Sequence, residues 1–314
     1  MALREVPRNT VEPAVPEPAR GRRLRVGLLS AAAGVLLAVL WSFELVDKVI
    51  GDTVADTVLG HDAKATAIGG TAAGLLFAFV SGFAGTFTAC NIAMAASIGP
   101  MSQVGAARAG QGRAGMLRPL LRPVGWLALG MLTVSAAYGA IGVLLGDRLP
   151  QLSTDTVDGM PVRLIQSSVA FGVIGLALTY LGLAALGALP DPFAGRPTWR
   201  LVTMGALVGG FLVGRPYPLF NKLFHWAVDS GNPLYGAAAF ALQSLGNILL
   251  VTSLFALLVL ATRGRFVRWM AHPSRAAVVT GALLIALGVF TVVYWDLRVP
   301  ARFGFGWFPM MPYN

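Results

Sequence analysis

The chain contains one cysteine, Cys90, in the run Ser81-Gly-Phe-Ala-Gly-Thr-Phe-Thr-Ala-Cys90-Asn91. A single thiol excludes an intrachain disulfide, yet once ionised it can form a mixed disulfide with a partner or hold a soft ligand. Thr86, Thr88 and Asn91 stand beside it, and a polar cavity there would favour the thiolate. Among apolar groups the same cysteine is a small, inert hydrophobe. The sequence leaves both readings open.

A second constellation is Gly209-Gly-Phe-Leu-Val-Gly-Arg-Pro-Tyr-Pro218. Arg215 here lies well inside an apolar run. A charge is expensive against lipid, so Arg215 must face the bundle, a wet cavity or the headgroups. It can snorkel, cap carbonyls freed by Pro216 and Pro218, or contact a ligand. His61 and His225 have Asp62 and Asp229 beside them, but they fall in unrelated loops, and no metal site is expected. No P-loop, nucleophile elbow, His-Glu-x-x-His or paired catalytic carboxylates occur, and no cofactor is implied.

The elements that must position these groups are membrane helices. Of the 314 residues 56% are hydrophobic and only 12% charged, with mean hydropathy +0.69. Soluble domains carry about 25% charged residues, and a compact soluble globule cannot hide so much apolar surface. Glycine, at 38 residues, fits close-packed membrane helices better than β-barrels. Apolar runs near 26–43, 67–98, 124–145, 164–187, 201–220, 236–261 and 276–295 predict seven spans. Residues 1–25 carry four prolines and scattered charge, which predicts a disordered tail. The first apolar run follows Arg20, Arg22, Arg23 and Arg25 and has no cleavage pattern after it, so it reads as a retained anchor, followed by an outer loop to residue 66.

The net charge of +10 is a topology signal before it is a partner signal. With the amino terminus cytoplasmic, 16 Lys and Arg fall inside and eight outside, while four acids fall inside and ten outside. That obeys the positive-inside rule and predicts a multi-pass inner-membrane protein with an external carboxyl terminus. The basic groups then face anionic lipid, and no nucleic acid is expected as a partner. The aromatic tail, Phe303 to Tyr313, reads as an interfacial anchor or a docking segment.

Two of the seven runs are irregular. The stretch 66–100 is too long for one straight span, and its middle holds Gly, Thr and Asn at membrane depth. In the fifth run Pro216 and Pro218 each remove a backbone donor, so no helix carrying both runs straight. One reading is two kinked helices packed through small residues, since Gly70/Gly74, Gly205/Gly209 and Gly210/Gly214 have GxxxG spacing. The other is a pair of broken helices forming a central site in a 3+3 inverted repeat, 67–187 against 201–295. Placing Cys90 over Tyr217 also puts Gly82 over Gly209 and Ala89 over Pro216.

The run Phe77 to Ala93 resembles the first-helix signature of the CcdA/DsbD transmembrane electron-transport family, in which a Ser-Pro-Cys-x-x-Pro-like segment interrupts a glycine-rich span. Gly125–Gly146 is similar to that family's second helix. Gly205 to Pro218 resembles its fourth-helix segment, normally ending in Thr-Pro-Cys-x-x-Pro, and the Ser230 to Gly236 loop leads into a glycine-bearing helix as the family's does. The resemblance covers residues 67–298 and leaves the first helix as an addition. It implies an all-α membrane fold, thiol–disulfide exchange with thioredoxin-like or cytochrome-maturation partners, and Cys90 as the first family cysteine. The second family position falls on Tyr217, which has no thiol, and Ala89 and Ala93 replace the prolines flanking the first. The intramolecular dithiol relay is therefore impossible in this chain acting alone. The expected central site comprises Cys90, Asn91, Thr86, Thr88, Arg215, Pro216, Tyr217 and Pro218. A small-solute or metal-ion transporter using the same broken helices, and a non-catalytic assembly factor, are the competing readings.

Overall fold

The computed structural model describes residues 20–85, 113–262, 265–270 and 272–312. The protein is all-α apart from a two-residue antiparallel pair, Thr156–Val157 with Met160–Pro161. Among the described residues five helices are long and apolar enough to cross a membrane, and by that measure the chain is a multi-pass membrane protein. They are α1 (Arg20–Leu40), α4 (Arg113–Leu145), α5 (Val162–Ala185), α8 (Pro233–Ala261) and the segment that begins as α10 (Pro273–Val292). Between them lie α2 (Asp52–Leu59), α3 (Gly70–Ala84), α6 (Pro197–Gly210), α7 (Pro218–Asp229) and α9 (Arg265–Met270). A π-helical stretch, Val293–Arg298, continues α10 into the three-residue α11 (Val299–Ala301).

Four of these helices start the same way. Pro197, Pro218, Pro233 and Pro273 stand at the first helical turn, where a missing N–H costs nothing and the fixed φ suits a helix. Asn232 adds a side-chain cap to α8, accepting from the Leu234 amide at 2.9 Å. Two boundaries differ from the sequence expectation. α1 begins at Arg20, six residues before the apolar run, since arginine has a high helix propensity that hydropathy does not register. The stretch expected as an outer loop is helical over Glu44–Gly51, as a π-helix, and on through α2, which ends where Gly60 turns left-handed. Ala55 on this stretch is buried, and Val54 and Leu59 pack beside it, which gives that helix a core-facing side.

Small residues set the helix contacts. α5 and α10 meet through two glycine pairs: a Cβ on Gly175 would lie 2.8 Å from the Gly288 carbonyl oxygen, and one on Gly182 2.9 Å from that of Gly281. α4 and α8 cross where Gly139 and Gly236 face each other in the same way. α4 meets α6 where Gly130 lies against the Val202 carbonyl and Gly205 against that of Leu127. α8 meets α3 where Gly246 lies against Phe79 and Gly82 against Gln243. Such contacts let backbones approach closely enough for dispersion to hold helices together in lipid. Two apolar cores result. One gathers Met131, Phe171, Leu178, Phe211, Leu284 and Phe290; the other gathers Phe77, Tyr138, Tyr217, Phe220, Phe224 and Phe240. Leu129, Leu144, Val169, Val173 and Leu176 remain exposed, as lipid-facing positions of spanning helices do.

Candidate functional site

The fifth run breaks before its prolines. α6 ends at Gly210, and a turn follows in which the Phe211, Leu212 and Val213 amides bond three residues back. Gly214 then takes φ +77°, which a side chain would resist, and a Cβ there would lie 2.9 Å from the Ser167 backbone. Ser167 secures the turn by donating to the Gly214 carbonyl as well as to Arg163 O at 2.8 Å. Tyr217 is extended, and Pro218 starts α7. Pro218 thus initiates a helix and does not kink one.

Arg215 projects from this break into the protein and is 7% exposed. Its Nη2 donates to the Gly85 carbonyl at 3.3 Å, and its Cζ sits 5.3 Å from the centroid of the Tyr217 ring. Gly85 must be bare for this to happen, because a Cβ there would lie 2.5 Å from Nη2. The Arg215 main-chain carbonyl accepts from Gln151 Nε2 at 3.1 Å, and the same nitrogen donates to Asn221 Oδ1 at 2.5 Å. Gln151 is buried, and its Oε1 has no hydrogen-bond partner among the described residues. Of the two structural roles open to Arg215, neither snorkelling nor capping of its own helix describes this contact; it reaches another helix.

Arg215, Pro216, Tyr217 and Pro218 lie together at the break, with Arg215 and Tyr217 buried and Pro218 exposed. Thr86, Thr88, Cys90 and Asn91 lie outside the described residues. Gly85, the last described residue before them, is the one Arg215 holds. Sequence reasoning missed Gln151, Ser167 and Gly85. Nothing local marks Gln151, a loop residue whose partners stand 64 and 70 positions away.

A polar seam runs beside the site. Gln243 Nε2 donates to Ser81 Oγ at 3.3 Å, and the Ser135 and Ser244 hydroxyls lie 2.6 Å apart. Asn247 is 1% exposed, and its Oδ1, like the Oε1 of Gln243, has no hydrogen-bond partner. Away from the break, Lys222 Nζ donates to the carbonyls of Ala63 at 2.7 Å, Lys64 at 3.0 Å and Thr66, pinning the loop between α2 and α3 to α7. Asp62 Oδ1 in that loop accepts from the Lys64 and Ala65 amides, both at 2.8 Å. Those two bonds, led by Ala65, hold its carboxyl below the usual carboxylate range, and Lys222 and Lys64 add to the effect. His61 contacts only its neighbour's carbonyl, and among the described residues no three His, Cys, Asp or Glu side chains gather as a metal would need.

No family model, curated protein or solved structure matches this chain. The fold and the break therefore define its class, a multi-pass helical membrane protein with an interrupted segment around a buried arginine.

Proposed function

We propose that the chain is an inner-membrane protein of the CcdA/DsbD kind, with one added helix before a 3+3 inverted repeat, and that it serves thiol transfer or cytochrome c maturation through Cys90. The repeat is supported by the helix contacts. The α4–α6 contact, made by Gly130 on Val202 and Gly205 on Leu127, recurs as the α8–α3 contact, made by Gly246 on Phe79 and Gly82 on Gln243. The α5–α10 contact is its own counterpart, with Gly175 to Gly288 mirrored by Gly281 to Gly182. A two-fold axis in the membrane plane requires this pattern.

The observation that carries the functional part is the bond from Arg215 to Gly85, which joins the break in the second half to the end of α3 in the first. A guanidinium near a thiol stabilises the thiolate, and Cys90 follows Gly85 by five residues in the sequence. With no second cysteine, exchange must use partners. The Cys90 thiolate attacks one sulfur of a thioredoxin-like disulfide, a new S–S bond forms, and the other partner sulfur leaves as thiolate. A thiol from a second protein then attacks the mixed disulfide and releases Cys90 as thiolate. The test is trapping: a thioredoxin lacking its resolving cysteine, its remaining sulfur loaded as a mixed disulfide with thionitrobenzoate, should form a dithiothreitol-sensitive adduct with wild type, releasing thionitrobenzoate, and none with Cys90→Ser. Absence of an adduct with wild type removes this reading, and partner capture that survives Cys90→Ser favours an assembly factor.

A second reading, transport of a small solute, is favoured by Arg215 itself, a buried cation whose neighbourhood contains no carboxylate partner among the described residues. Proteoliposome uptake that is lost on Arg215→Gln is its test.

A further inference from the structure

Among the described residues no carboxylate pairs with Arg215. Its guanidinium charge is delocalised over five N–H donors, of which one bonds among the described residues, the long contact to Gly85 O. The chain has 14 Asp and Glu, and none falls between Thr86 and Gly112, the stretch that follows Gly85. Lys64 pairs with Asp52 and Arg200 with Asp191, and neither pair involves Arg215. A buried cation left alone costs several kcal/mol, and the Tyr217 ring face offsets only part of that.

Two further observations converge on the same turn. α7 has 12 residues and begins at Pro218, three residues after Arg215, with no side-chain cap, so the free amides of its first turn add positive potential. Gln151, 3% exposed, fixes the turn by donating from its nitrogen to the Arg215 carbonyl and to Asn221. The turn is thus a rigid, polar, positively charged point inside an apolar core. Gly85, having no Cβ, lets the guanidinium lie against its backbone.

We propose that the 215–218 turn is an anion site in which the Arg215 guanidinium receives a small oxyanion, of sulfate or carboxylate size, that the chain does not itself supply. A planar fork of N–H donors suits two oxygens of one oxyanion. The site rests on reading the break as a ligand site, and it is independent of thiol chemistry at Cys90.

The test uses the full chain in detergent free of phospholipid. Thermal unfolding is followed with sodium sulfate or sodium acetate titrated against sodium chloride at constant ionic strength. Sulfate or acetate should raise the midpoint saturably above chloride. The apparent Kd should rise at least tenfold in Arg215→Gln and at least threefold in Arg215→Lys, and should stay within twofold in Cys90→Ser. Should Arg215→Gln not fold, Gly85→Ala keeps the charge and crowds Nη2, and it should weaken binding tenfold. Phosphatidylglycerol in place of sulfate, giving the same Arg215-dependent shift, identifies a headgroup phosphate as the oxyanion. No saturable shift in wild type, wild-type binding retained in the Arg215 and Gly85 variants, or loss of binding in Cys90→Ser overturns the site. Arg215-dependent binding without flux in proteoliposomes supports the site and removes transport; flux without such binding does the reverse.

Discussion

Gly182 of α5 and Gly281 of α10 face each other backbone to backbone: a Cβ on either would come within 2.9 Å of the other's carbonyl oxygen. The carbonyl oxygens cannot yield, being main chain, and each Cβ would also crowd a side chain, Ile285 at 2.8 Å from Gly182 and Leu186 at 2.7 Å from Gly281. Gly182→Leu and Gly281→Leu should each destabilise the protein by about 1–3 kcal/mol through overpacking. Gly125→Ala is the contrast. It lies in α4 with open space where its Cβ would go, and it should stabilise by about 0.5–1 kcal/mol. Unfolding midpoints in one detergent check the pair, and equal effects would refute the account of the α5–α10 contact.

The turn after α6 depends on Gly214. At φ +77° any side chain is strained by about 1–2 kcal/mol, and a Cβ would also crowd Ser167. Gly214→Ala should therefore cost more than Ser167→Ala, which removes hydrogen bonds and adds no clash. Chemical denaturation of the two variants ranks them, and the reverse order would show that the hydroxyl, not the glycine, secures the break.

Lys222 fastens the loop at Ala63 to Thr66 onto α7 with one ammonium and three carbonyls. Lys222→Met keeps the stem length and removes the donors. It should cost about 1–2 kcal/mol, and hydrogen exchange should speed up across residues 61–69 while the α5–α10 contact keeps its protection. Unchanged exchange in the loop would mean that α2 alone holds it.

The same loop gives a pH dependence. Asp62 is held below its ordinary value by the Ala65 and Lys64 amides, so its folded carboxyl titrates lower than its unfolded one. The stabilisation is present above the ordinary carboxylate pKa and is lost as pH falls through the depressed folded value. Loop exchange should accelerate below about pH 4, and in Asp62→Asn it should be fast already at neutral pH with no acid transition. An acid transition that persists in Asp62→Asn would assign it to another group.

The tail is divided by packing. Phe303 and Phe308 lie against the first core, whereas Trp307 is 86% exposed and Phe305 is also open. Trp307→Ala should leave the unfolding midpoint unchanged but reduce quenching of tryptophan emission by headgroup-depth lipid probes, as an interfacial ring would. Phe308→Ala should lower the midpoint. If both act alike, the tail docks as one unit.

Much of this architecture was legible in the residues. Apolar runs marked the five long helices, because burial in lipid is a property of each segment by itself. The interruption near Arg215 was legible from Gly209 to Pro218, though its cause was misplaced: the helix stops at Gly210 and Gly214 turns the chain, while Pro218 begins the next helix. Which backbone each glycine meets was not legible: Gly82 lies on Gln243, Gly205 on Leu127 and Gly209 on Met131, partners far away in the chain.

What the sequence alone determined was class and composition: apolar helices, a single thiol, a charged residue at membrane depth and no second cysteine to complete a relay. These follow from residue type and local spacing. Only the tertiary structure decided that Arg215 reaches Gly85, 130 positions earlier, and that Gln151 holds the turn from a loop. Such partnerships are set by how close-packed helices register against one another, and no local pattern in the chain carries that information.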